Sequence, residues 1–247
     1  MTFLSHVQAE LRRARLTRKG ATHRPEDVPR FTHKSYPRME TTPLPEPEKL
    51  SVPISSVLAD RSSAIDGNPG TKILLQEFGT LLGLGLKKRA RGTRPYPSGG
   101  ALYPVETYVI STSVEQLGSG VFHYNPTLHA FERLLNLPED FDMKRLAANP
   151  KKLAVSSLIV FTSVWKRSSA KYGDLAYQHA LLEAGHMSQN LLLVSTALGI
   201  GARPYAGFND DLLIELLDID SNNEQPVHTI TLCAAPANNN ASDDAHE

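Results

Sequence analysis

A chain of 247 residues can form one large domain or two small ones, and 40% apolar residues are enough to build a real core. Twenty-six basic residues balance 26 acidic ones, which excludes a molecule-wide field of the kind that draws a protein to nucleic acid or an anionic membrane. The single cysteine, Cys233, excludes an intrachain disulfide and a multi-cysteine metal site, and it suits a reducing compartment.

The N-terminal residues lack an apolar core of signal-peptide length, and no stretch approaches the ~20 apolar residues of a membrane helix, so a soluble cytoplasmic protein is expected. Residues 1–50 differ in kind from the rest. Residues 11–19 hold five basic side chains in nine, and 37–53 are punctuated by five prolines. Proline fixes φ and removes a donor, so the second stretch is expected to run extended over a surface. The basic run reads as a solvated helix face or as a docking surface for an acidic partner.

From residue 51 to 237 the pattern is that of a globular domain. Residues 71–84 place Ile73, Leu74, Phe78, Leu81 and Leu82 at helical spacing. Residues 106–111 and 120–124 have strand composition, with 128–134 as a third candidate. The β-branched apolar run 153–164 predicts a strand buried on both faces. Residues 173–198 read as one long helix stopped by Gly199, followed by a short helix over 210–217 and a last strand over 227–233. The polar tail 238–247 is expected to be disordered. This order predicts one α+β domain, with helices around a mostly antiparallel sheet and an extended N-terminal segment.

Four segments can carry chemistry. Pro97, Ser98, Gly99 and Gly100 lie between a basic run ending at Arg94 and a strand. Paired glycines let backbone approach a flat ligand and free amides bind an anion, though a tight turn would use the same residues. Lys171 and Tyr172 precede Gly173 at the expected start of the long helix. The positive end of a helix dipole disfavours a nearby ammonium, which suits a lysine general base with a tyrosine relay. A surface lysine beside a packed tyrosine is the alternative. His179, Glu183, His186 and Asn190 share one helix face, which could bind a metal but reads better as a buried polar seam, with Gln189 and Asn190 facing a neighbour or cofactor. Arg61, Ser62 and Ser63 could grip a phosphate or serve as an ordinary helix cap with a surface arginine. The glycine-rich run 199–208, which includes Ala206 and Gly207, could lie against a flat ligand.

The order of these segments resembles the nitroreductase superfamily, and within it the SagB-type peptide dehydrogenases, or azoline oxidases. The resemblance covers roughly residues 31–236 and rests on RPYPSGGALYPVETYV, AKYG, LLEAGHMSQNLLL and ALGIGARPYAGF. It implies a nitroreductase-like fold and non-covalent FMN at the interface of a homodimer. It implies that Arg61 with Ser63, or Ser62 if the alignment slips by one, holds the phosphate, that Pro97 to Gly100 lie along the flavin ring, and that Ala206 and Gly207 face flavin N5. It implies further that Lys171 and Tyr172 abstract the substrate proton. The chain departs from the family pattern with Ala64 and Ile65 after the early motif and with Leu232-Cys233-Ala234 at the last strand, which leaves Arg94 or another basic residue to complete the phosphate end. The activity so implied is oxidation of peptide thiazolines or oxazolines to thiazoles or oxazoles, beside a cyclodehydratase partner. An NAD(P)H-dependent reductase of nitro, quinone or dehydroamino-acid groups is the alternative, and a flavin-binding scaffold is a third.

Overall fold

The computed structural model describes residues 3–16, 33–64, 72–112, 114–149 and 155–233. Its helices are α1 (Phe3–Leu16), α2 (Ile54–Asp60), α3 (Leu75–Leu86), α4 (Lys166–Tyr172), α5 (Leu175–Leu198) and α6 (Asp210–Leu217). Its strands are β1 (Thr41–Pro43), β2 (Val105–Ser111), β3 (Gly120–Asn125), β4 (Ala130–Asn136), β5 (Ser157–Val164), β6 (Gly201–Tyr205) and β7 (Glu224–Cys233). The strands form one sheet in the order β1-β4-β3-β2-β5-β7-β6, and every pairing is antiparallel.

The β-branched run does form the strand buried on both faces, because side chains alternate across a sheet. Ile159 and Phe161 join Val109, Ile230 and Leu232 in the core beneath α3 and α5. Leu158 and Val160 join Tyr108, Ile110 and Val121 in a second core with Leu213 and Leu217 of α6.

The Pro-rich stretch runs extended across α3. A Cβ on Gly79 would lie 2.4 Å from the Pro45 carbonyl oxygen, and one on Gly83 2.3 Å from the Pro47 ring, so these two glycines are the notches that admit the strap. Residues 33–36 close over the sheet, and β1 pairs with β4.

Several boundaries differ from the sequence expectation. The helix expected from residue 71 starts at Leu75, because Ile73 pairs with Val114 and the Glu77 carboxylate accepts from the Leu74 amide at 2.7 Å. The long helix expected over 173–198 forms as α5, and the residues before it, expected as a junction, form the separate helix α4, which Gly173 (φ 53°) ends. Gly199 (φ 74°) then stops α5 as a left-handed cap. Part of the glycine-rich run after it is strand β6, and β7 begins at Glu224. The tail 238–247 and residues 17–32 lie outside the described residues.

Candidate active site

The loop before β2 is held in a high-energy backbone shape by side chains around it. Gly100, Ala101 and Tyr103 have φ of 64°, 55° and 47°, a region that non-glycine residues enter at a cost on the order of 1–3 kcal/mol each. Tyr103 is fixed at three points. Its amide donates to Ser98 Oγ at 2.9 Å, its carbonyl accepts from Arg167 Nη1 at 2.8 Å, and its Oη accepts from the Arg94 amide at 3.2 Å.

Gly100 is where two distant motifs meet. A Cβ there would lie 2.6 Å from Tyr172 Oη and 2.7 Å from Lys171 Nζ, so the glycine loop and the Lys-Tyr pair are in direct contact. Lys171 and Tyr172 occupy the last turn of α4, not the start of the long helix. That end of a helix carries the opposite dipole, so the helix N-terminus argument does not hold for Lys171. The pair is placed instead by α4 and by the glycine stop behind it. The Tyr172 ring meets His179 edge-on at 4.4 Å, and a Cβ on Gly99 would lie 3.0 Å from His179 Nδ1.

Beside this junction opens a cleft of about 290 Å³, lined by Pro97, Ser98, Gly99, His179, Leu182, Glu183 and His186. Glu183 is 2% exposed, and its Oε1 takes the Val105 amide at 3.4 Å. Burial pushes its pKa up to about 7, against the opposing pull of the Ser98 hydroxyl and the Arg94 and Arg167 guanidiniums. The helix stripe thus divides. His179, Glu183 and His186 reach the cleft, whereas Asn190 donates to the carbonyls of Gly85 and Pro95 and Gln189 is exposed.

Other candidates lie apart. Arg94 is buried, donates to Tyr96 Oη at 2.7 Å and stacks 4.6 Å from the Tyr103 ring centroid, so it braces the loop and does not stand with Arg61. Arg61 ends α2, so it is not part of an N-terminal cap. Exposed Ser62 and Ser63 follow it, and the Ala64 amide donates to Ala202 at the start of β6. Pairing register sets Ala202 opposite Leu232, Leu232 opposite Ser157, and Ser157 opposite Ser111, at the far end of β2 from the glycine loop. Seven residues of β2 span about 20 Å and three strand spacings about 14 Å. Gly207 is pinned through its carbonyl to the Ala148 amide at 2.7 Å, with Ala206 exposed beside it.

A buried charged network behind the loop escapes sequence reading. His123 lies between Glu132 (2.8 Å) and Glu106 (3.0 Å), and Glu106 Oε1 also accepts from Arg167 Nη2 and from the Lys34 amide, both at 2.6 Å. Burial would raise the Glu106 carboxyl, but the hydrogen bond from His123 and the charge of Arg167 hold it at about 2. The same two carboxylates overcome burial and raise His123. In sequence Glu106, His123, Glu132 and Arg167 each sit singly in a strand or at a helix start, and nothing marks them as partners.

Residues 72–233 match the model of the nitroreductase family. The microcin B17-processing protein McbC of Escherichia coli is 31% identical over 140 residues, covering 54% of this chain and 52% of its own length. A nitroreductase-family protein of Methanocaldococcus jannaschii, MJ1384, is 31% identical over 130 residues, covering 52% of this chain and 66% of its own length. The chain therefore spans between about half and two thirds of these relatives. The E. coli microcin synthetase McbBCD complex with truncated pro-MccB17 bound superposes with a TM-score of 0.66 at 24% identity, covering 77% of this chain and 75% of that one. A nitroreductase-type protein of Exiguobacterium sibiricum in complex with FMN superposes at 0.54 and 14% identity, covering 80% and 95%. With an antiparallel sheet of this order and a family match over well over half its residues, the chain belongs to the nitroreductase family, a family of oxidoreductases.

Proposed function

We propose that this protein is an FMN-dependent dehydrogenase that oxidises thiazolines or oxazolines within a peptide to thiazoles or oxazoles. The observation that carries the reading is the convergence of Lys171 Nζ and Tyr172 Oη on Gly100 of the Pro-Ser-Gly-Gly loop. The 31% identity to a microcin-processing protein favours a peptide substrate, with a cyclodehydratase partner to install the heterocycle.

The residues fit FMN in their chemistry. The glycine-bearing loop and the cleft beside it suit a flat ring, and Arg61 with two exposed hydroxyls suits a phosphate. These two sets lie at opposite ends of the sheet, too far apart for one chain to use both on one flavin. A homodimer resolves this, with one subunit giving the ring contacts of Pro97 to Gly100 and the other giving Arg61, Ser62 and Ser63. Exposed apolar side chains support it, namely Ile54 (64%) and Leu58 (59%) on α2 and Leu182 (52%) on the cleft rim.

Bound FMN would supply the two-electron acceptor for the hydride equivalent leaving the ring. Lys171 accepts the proton from the heterocycle Cα, and Tyr172, whose Oη meets Gly100 beside the lysine amine, assists the transfer. Asn190 steadies the Pro95 carbonyl ahead of the loop.

The test is anaerobic mixing of the purified yellow protein with a thiazoline peptide. Bleaching of the flavin and a peptide mass loss of two hydrogens are expected, and Lys171→Ala is expected to lower the rate by about 10²-fold or more. Rapid bleaching by NAD(P)H with none by the peptide would replace this reading with that of a reductase. A colourless protein that takes up no FMN would end both.

A further inference from the structure

Arg167 stands one helical turn before Lys171, on the same face of α4. It is 6% exposed, and its guanidinium is fully committed to two structures at once: Nη1 donates to the Tyr103 carbonyl at 2.8 Å and Nη2 to Glu106 Oε1 at 2.6 Å. Tyr103 is the residue whose amide fixes Ser98 and whose left-handed backbone ends the glycine loop. Glu106 is itself immobile, since its Oε1 also takes the Lys34 amide and its Oε2 faces His123, which Glu132 holds from the other side.

We propose that Arg167 is a positioning residue that locks α4 to loop 98–103, so that Lys171 and Tyr172 meet the loop at Gly100 in one fixed register. This rests on the reading of Lys171 and Tyr172 as the reacting pair. The geometry requires a forked cation. A lysine reaches one acceptor with a point charge, whereas the planar guanidinium spans a backbone carbonyl on one element and a carboxylate on another. Without the fork, the Tyr103 carbonyl loses the donor that α4 gives to the loop. Misplacement by about 1 Å at such a pair costs on the order of 10²-fold in rate. The N-terminal segment takes part through the Lys34 amide, which shares the same carboxylate oxygen.

The experiment uses the FMN-loaded full chain with Arg167→Met and Arg167→Lys. For Arg167→Met the expected result is a fall in kcat for thiazoline oxidation of about 10²-fold, with KM and FMN affinity within about threefold of wild type, and a displaced pH profile of kcat/KM. Arg167→Lys is expected to recover at most about tenfold of that loss. A readout independent of turnover is acetylation by acetic anhydride, followed by mass spectrometry. Lys171 packs against Gly100 whereas Lys166 is exposed on the same helix, so the Lys171 rate relative to Lys166 is expected to rise several-fold in both variants. Wild-type kcat, pH profile and acetylation ratio in a folded Arg167→Met protein would overturn the proposal, as would a lower melting temperature with those three unchanged. If Arg167→Met does not fold, Arg167→Lys decides on the same measurements. If the wild type oxidises no thiazoline, the azoline reading fails, and the acetylation ratio still decides the role of Arg167.

Discussion

Glu183 carries its carboxyl into the cleft wall, where burial favours the neutral acid over the carboxylate. Its pKa rises from 4.5 in the unfolded chain to about 7 in the folded protein. A raised acid pKa means that the native state holds the proton more tightly than the unfolded state. The native state is therefore least burdened below pH 4.5, loses stability as pH climbs through 7, and at pH 8 bears a penalty of at most about 3 kcal/mol. Glu183→Gln removes the titration while keeping the shape. The melting temperature of the variant relative to wild type is expected to rise between pH 5 and about pH 7, by several degrees in total, and to level off from there to pH 8. A difference that stays constant across that range would show that Glu183 is ionised throughout. The same carboxyl offers a proton at the cleft near neutral pH, beside His179, His186 and the loop that Ser98 begins. Asp and Glu side chains with raised pKa values gather at functional sites, and this one borders the Lys-Tyr junction.

At the scale of elements, close packing explains both what sequence reading reaches and what it misses. Helix α3 carries glycine where helix propensity would favour alanine by roughly 0.5–1 kcal/mol. Gly79→Ala gains that propensity but drives a Cβ to 2.4 Å from the Pro45 carbonyl, a backbone atom that cannot swing aside. Overpacking of this kind costs about 1–3 kcal/mol, so the strap must lift and the variant is expected to melt several degrees lower. A higher melting temperature would mean that the 37–53 strap is loosely held. The extended course of that strap was legible because proline restricts backbone wherever it occurs. The central strands were legible because alternation and β-branching are local. The two strands that sequence reading missed are the sheet edges, β1 with Pro43 and β6 with Pro204, where a missing amide donor is tolerated and strand composition is weak. Helix α4 was hidden because its sequence, KRSSAKY, carries no apolar spacing, so Lys171 and Tyr172 read as a junction before the long helix. The Pro-Ser-Gly-Gly loop and the Lys-Tyr pair could each be picked out, but their contact at Gly100 is a product of α4 folding back from β5. Arg167, Glu106 and His123 gave no local signal, since a buried ion network is defined by partners from separate strands.

At the scale of the whole molecule, the proposed function gives one chain two half-sites. The glycine loop and Lys171 sit where β2 begins, while Arg61, Ser62 and Ser63 sit by the opposite end of the sheet near the start of β6. Along α2, Ile54 and Leu58 are one turn apart and both face solvent, an arrangement that buries about 1.5–3 kcal/mol per side chain if a partner covers them. On the reading proposed above, a second copy of this chain is the occupant, and it also completes the flavin site. Wild-type protein is therefore expected to sediment at twice the mass of one chain with FMN bound. The double substitution Ile54→Glu with Leu58→Glu places two like charges in that contact, far from the Gly100 junction. It is expected to yield folded monomers, with the same far-ultraviolet circular dichroism, that have lost FMN by at least tenfold in affinity. Sedimentation with flavin absorbance detection reads mass and cofactor in one run. A monomeric variant that keeps wild-type FMN affinity would refute the shared site while leaving the dimer intact as a finding. A variant that stays dimeric would move the interface off α2 and onto the α5 face around Tyr177, Leu181 and Leu182, whose side chains are also exposed.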